Sequence, residues 1–231
     1  MGGTSQDGAG PGSDVRRSRP GEDGTRLVLR PYASPLPLGF FSFGIGMALL
    51  GGIGLGWLSS AQDVRAAGVL MAAFVFPLEL IAAVIAVLAR DTGAATTLGL
   101  FTTSWLGLGL LDALDPVQHT SRTVGLFLVA FALMLVPLAV AAAFGKVLLT
   151  VVLSVSIVRA ALQAADEFGA PRWAGTANGV AALVIVMLAL CAGTAFLVED
   201  LRGRTALVPR RGPADEALDG VSREPGVRQQ L

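Results

Sequence analysis

Long apolar stretches separated by short polar connectors, with a charged tail at each end, set the pattern of this chain. Read by length and hydropathy, the stretches predict helices over about residues 35–58, 66–89, 95–111, 124–144, 147–165 and 174–198. The second reads AAGVLMAAFVFPLELIAAVIAVLA between Arg65 and Arg90. At the helical rise it spans roughly 36 Å, against a hydrocarbon core of about 30 Å. Near its middle sit Pro77 and Glu79. Proline removes a backbone donor and frees a carbonyl one turn earlier, and a carboxyl group in hydrocarbon costs about 2.5 to 3.5 kcal/mol. A helix that keeps both is expected to line something polar. The pattern therefore predicts an all-α polytopic membrane protein of six transmembrane helices, with a functional carboxyl at mid-depth in the second.

The flanks carry no apolar periodicity. Residues 1–33 and 201–231 are expected to be disordered tails, leaving 34–200 as the transmembrane domain. No apolar segment follows the first charges, so no signal peptide is expected, and Gln6 breaks the myristoylation pattern that Met1-Gly2 begins. Two prolines, Pro35 and Pro37, suit the first turn of helix one, where amide donors lack partners anyway. Along that helix Gly44, Ala48, Gly52 and Gly56 fall at four-residue spacing, a face that lets a neighbouring backbone come close. Ala95, Gly99, Thr103 and Gly107 repeat the ladder in helix three, and Gly175 and Gly179 in helix six. Helix three is rich in threonine. Its hydroxyls either bond back to their own helix or face a pore, and Thr92, Thr96 and Thr103 are the polar pore-lining candidates. The Gly145-Lys146 link predicts that helices four and five are antiparallel neighbours.

Composition agrees with a bilayer as solvent: 53% apolar, 15% charged, with a mean hydropathy of +0.67. The single cysteine, Cys191, excludes an internal disulfide and a thiolate metal cluster, and the lone His119 is read as a solvated loop residue. The glycines at 51–56 lack a preceding strand, and Gly145-Lys146 is followed by valine, so no phosphate loop is read. No nucleophile and base stand together in the pattern. An enzyme, a cofactor, a metal and a nucleic-acid partner are accordingly not expected.

Basic residues give an orientation. Thirteen of them lie in the two tails and the connectors at Arg90 and Lys146, against Arg65, Arg122 and Arg172 on the other side. Six spans with both termini cytoplasmic follow. Measured from Arg90 and Lys146, Glu79 and Arg159 lie about 17 Å and 20 Å along their helices. Either the two charges pair across helices two and five, directly or through water, or Arg159 reaches toward the outer interface and Glu79 stays alone.

Several of these segments resemble a known family. Ser34-Pro35-Leu36-Pro37-Leu38-Gly39 is similar to the Asn-Pro-Ala-Pro-Leu-Gly signature of the acetate uptake transporters, the succinate-acetate permeases. Residues 90–105 resemble, without gaps, that family's block beginning Gly-Asn-Thr and ending in Trp, and Gly203-Arg204-Thr205 its closing Gly-Arg-Thr. The resemblance covers about residues 34–209. It implies six spans, a pore through each protomer, a homo-hexameric ring in the bacterial inner (plasma) membrane, and proton-linked symport of small monocarboxylates. It also implies a narrow point formed by Phe43, Phe101 and Val155, a pore-mouth motif comprising Ser34, Pro35, Pro37 and Gly39, and Glu79 in place of a glutamine. The chain departs from the family in Ser34 for asparagine, in Val75-Phe76 for a glycine pair and in Phe101 for tyrosine.

These readings converge on a monocarboxylate transporter or channel in which Glu79 and Arg159 handle protons or anions. A neutral-solute channel of the urea/amide type and a non-transporting membrane partner are the alternatives.

Overall fold

The computed structural model describes residues 33–116, 120–144 and 147–202. The two tails, the closing motif at 203–205, His119 and the Gly145-Lys146 link lie outside the described residues. Six helices follow in order: α1 (Leu36–Gly54), α2 (Ala61–Leu88), α3 (Thr92–Leu114), α4 (Arg122–Ala143), α5 (Val147–Glu167) and α6 (Trp173–Arg202). Each is long and apolar enough to cross a bilayer. This is an all-α, multi-pass membrane protein.

Local chemistry fixes the ends. The Ser60 hydroxyl accepts the Asp63 N–H at 3.1 Å, and the Asp91 carboxylate accepts the Ala94 N–H at 3.0 Å. Those caps start α2 and α3 earlier than hydropathy alone indicates. α1 stops sooner than expected because Gly56 does not belong to the helical ladder. It takes a left-handed backbone (φ 75°) that turns the chain out, with the Trp57 N–H closing on the Gly52 carbonyl at 2.8 Å. Gly169 ends α5 in the same way (φ 88°). At the end of α2 this position is held by Arg90 (φ 57°), and the Asp91 N–H reaches the Ala86 carbonyl at 3.0 Å. Pro77 does not break α2. The helix widens into a π turn over Met71–Val75, the Phe76 N–H bonding the Met71 carbonyl five residues back, so the proline is accommodated without a stop.

The helices pack as a closed circuit, α1–α6–α5–α4–α3–α2, with α2 returning to α1. Small residues set the closest approaches, but on faces chosen by three-dimensional packing. A Cβ on Gly54 would stand 2.9 Å from the Gly179 Cα, joining α1 to α6, and a Cβ on Gly68 would stand 2.6 Å from the Gly109 carbonyl, joining α2 to α3. By contrast, a Cβ on Gly99 or Gly107 would meet nothing within 4 Å. Gly68→Ala is therefore expected to force two backbones apart and destabilise by about 1–3 kcal/mol. Gly99→Ala is expected to be neutral. Thermal unfolding in detergent distinguishes the two, and an equal effect at both positions would contradict this packing.

Candidate functional site

The interior of the circuit is built from one stripe per helix. On α2 the stripe is Met71, Val75, Glu79, Ala82 and Ala86, at three- and four-residue steps and each fully buried. The opposite side of α2, including Ile81, Val84 and Val87, is exposed, as a lipid-facing surface should be. On α3 the inward stripe is Ala94, Thr97, Phe101, Ser104, Trp105 and Leu108, and on α5 it is Leu149, Val152, Leu153, Ser156 and Arg159.

Two cavities lie inside. The first, about 30 Å³, is walled by Leu36, Gly39, Phe40 and Phe43 of α1, Glu79 of α2, Ala94, Thr97, Leu98 and Phe101 of α3, and Leu149, Val152 and Leu153 of α5. It has room for about two waters and is almost wholly apolar apart from Glu79 and Thr97. The second, about 10 Å³, is bounded by Met47 and Leu50 of α1, Phe101, Ser104, Trp105 and Leu108 of α3, Phe127, Leu128 and Phe131 of α4, and Arg159 and Ala160 of α5. On α1, α3 and α5 alike, the residues of the first cavity precede or follow those of the second in unbroken order along the helix. The cavities are thus stacked along the bundle axis. Phe101 walls both, and the level between them is filled by aromatic rings. Phe43 meets Phe101 edge-on at 4.7 Å between centroids, Phe101 meets Phe131 at 5.3 Å, and Phe43 meets Trp105 at 5.9 Å.

Glu79 faces the first cavity with neither carboxyl oxygen hydrogen-bonded. The indole N–H of Trp105 is the side-chain donor turned toward it, but the two stop short of a formed hydrogen bond. Arg159 belongs to the other cavity. Its Nη2 donates to the Gln163 side chain and its Nε–H has no acceptor. The direct Glu79–Arg159 pair is therefore not formed. Counting along the helices predicts similar depths, yet the two residues wall cavities on opposite sides of the aromatic level.

Of the other expected residues, Phe43 and Phe101 meet at the aromatic level between the cavities. Val155 is half-buried and packs against the core that contains both rings, but it sits beside the stripe of Val152, Ser156 and Arg159 and is not among the residues walling either cavity. From the pore-mouth motif, Gly39 walls the first cavity, where a Cβ would press within 2.6 Å of Leu98. Pro35 caps α1 and Pro37 is buried in its first turn, while Ser34 lies half-buried ahead of the helix. Thr92, Thr96 and Thr103 are exposed on the outer face of α3. The Thr96 hydroxyl donates to the Thr92 carbonyl at 2.8 Å and Thr103 to the Gly99 carbonyl at 3.1 Å, so both are satisfied within their own helix. Thr97 and Ser104 are the hydroxyl residues that line the cavities instead. They are one position away in sequence, which on a helix is a rotation of about 100°. Trp105, Phe131 and Val152 were likewise legible only as members of an inward stripe. Among the described residues, no three histidine, cysteine or acidic side chains stand together to hold a metal.

No protein-family model matches the chain, and no curated protein does. Among solved structures, the bacterial acetate channel SatP superposes with a TM-score of 0.66 at 20% sequence identity, the alignment covering 77% of this chain and 98% of that one. At that identity the likeness is one of fold.

Proposed function

We propose that this protein passes small monocarboxylates such as acetate across a bacterial plasma membrane, through a path inside each protomer, with Glu79 handling the accompanying proton. The observation that carries this reading is the pair of cavities stacked on either side of the Phe43–Phe101 contact within a single chain. A carboxylate must shed water to pass between such rings, so the neutral acid or a transiently paired anion is the travelling form. The likeness in fold to an acetate channel supports the substrate class. The basic residues of the tails support a reading with both termini in the cytoplasm, and the family resemblance supports assembly as a homo-hexamer. Nothing in this reading calls for an enzyme's chemistry or a nucleic acid.

Purified protein in liposomes is expected to move labelled acetate at mildly acidic pH about tenfold or more faster than empty liposomes. Acetate flux no faster than that of empty liposomes would refute the reading. Swelling in urea without acetate flux would select the neutral-solute channel, and flux of neither would select the interaction protein.

A further inference from the structure

We infer that the second cavity is an anion site in which Arg159 takes the carboxylate of the travelling solute. Arg159 is 5% exposed, and its guanidinium is the cationic group on the cavity wall. Among the described residues its hydrogen-bonding partner is the neutral side chain of Gln163 on the same helix, and its Nε–H meets no acceptor. A buried guanidinium satisfied only by an amide retains a full uncompensated charge, and its fork of donors matches a carboxylate. The cavity beside it, about 10 Å³, holds one water-sized group as it stands. A small anion enters by exchanging with that group and drawing the guanidinium from Gln163. Acetate is larger than that group, so its entry also requires the wall to yield, and the rings of Phe127 and Phe131 on that wall favour a short apolar tail over a second charge.

The consequence is two unlike stations on one path. The Glu79 cavity, apolar and acidic, rejects a bare anion, whereas the Arg159 cavity holds one. Only the identity of the anion rests on the monocarboxylate reading; the site itself rests on Arg159 and its cavity.

Trp105 walls this cavity and is 1% exposed, while Trp57 and Trp173 are 67% and 62% exposed. The chain has three tryptophans, so full-length protein carrying Trp57→Phe and Trp173→Phe reports from Trp105 alone. Titrated in nanodiscs, its emission is expected to change saturably with sodium acetate, but not with acetamide or with sodium chloride at equal ionic strength. Arg159→Gln is expected to weaken the apparent affinity about tenfold or more. Arg159→Lys, which keeps the charge and loses the fork, is expected to fall between, and it carries the test should the glutamine variant not fold. An acetate response unchanged by either substitution, or matched by acetamide, would overturn the site. A response matched by chloride would overturn its carboxylate assignment. Acetate flux is measured on the same preparations. An Arg159-dependent response without flux would refute transport and leave the site standing.

Discussion

Truncating Phe101 is expected to raise acetate flux about tenfold, which corresponds to removing about 1.4 kcal/mol from the barrier. Phe101 is the side chain that touches both cavities, and its contacts with Phe43 and Phe131 make it the keystone of the rings between them. Phe101→Ala would merge two spaces of about 30 Å³ and about 10 Å³ into a continuous lumen. The dehydration that a carboxylate suffers between rings would then be relieved by water that can follow it. Selectivity should fall with the barrier, so that larger monocarboxylates such as butyrate gain more than acetate. A buried Phe→Ala change also costs about 3–5 kcal/mol of stability. Phe101→Leu therefore accompanies it, keeping most of the packing while removing the ring, with a smaller increase expected. Flux normalised to folded protein decides the matter, and rates unchanged in both variants would show that the path does not cross this level.

Removing the carboxyl at Glu79 is expected to make the protein more stable and less able to use a proton. Both its oxygens are buried without hydrogen bonds, and the cavity it faces is walled mainly by apolar residues such as Phe43, Ala94, Leu98 and Val152, with Thr97 and the nearby Trp105 indole as the polar groups. An unsatisfied buried polar group costs about 1–3 kcal/mol, so Glu79→Met, close in volume, should raise the thermal midpoint by recovering part of that cost. A structural residue would behave in the opposite sense. For transport, Glu79→Gln keeps the shape and the hydrogen-bonding capacity but cannot exchange a proton. Acetate flux through the unmodified protein should rise as the pH falls from about 7 to about 5, beyond the passive entry of the neutral acid into empty liposomes. In the glutamine variant that additional rise should be at least about threefold smaller. Superimposable pH profiles would remove Glu79 from the proton's route, and a destabilised Glu79→Met would remove the argument that function retains the carboxyl.

The six spans were legible because hydropathy is a property of each stretch by itself. Glu79 was legible for the same reason, since a carboxyl amid apolar residues is conspicuous whichever way its helix faces. What could not be read was rotation. Thr96 and Thr97 are adjacent, and hydropathy cannot say which one turns inward. The packed bundle decides it, with Thr97 buried in the wall of the first cavity and Thr96 exposed outside. Val155 shows the same limit, packing against the core beside the inward stripe of α5 without walling either cavity. The small-residue ladders show a related limit. Four-residue spacing marked Gly175 and Gly179 as an approach face, and Gly179 does meet Gly54, yet a Cβ on Gly99 or Gly107 would meet no described residue within 4 Å. Such a ladder says that a close approach is sterically allowed. It does not say from which helix it comes.

A passage inside each protomer would have Thr97 on one side of the aromatic level and Ser104 on the other. Cysteine accessibility tests it most directly, after Cys191, exposed on α6, has been replaced by serine. In intact proteoliposomes, the Thr97→Cys and Ser104→Cys variants should react with a small, water-borne thiol reagent and be slowed by acetate, whereas Thr96→Cys and Thr103→Cys, which face outward, should not react. Inward positions that stay unreactive in folded protein while reacting once it is unfolded, or outward positions that label as fast as inward ones, would contradict a wet conduit and leave a solid six-helix bundle.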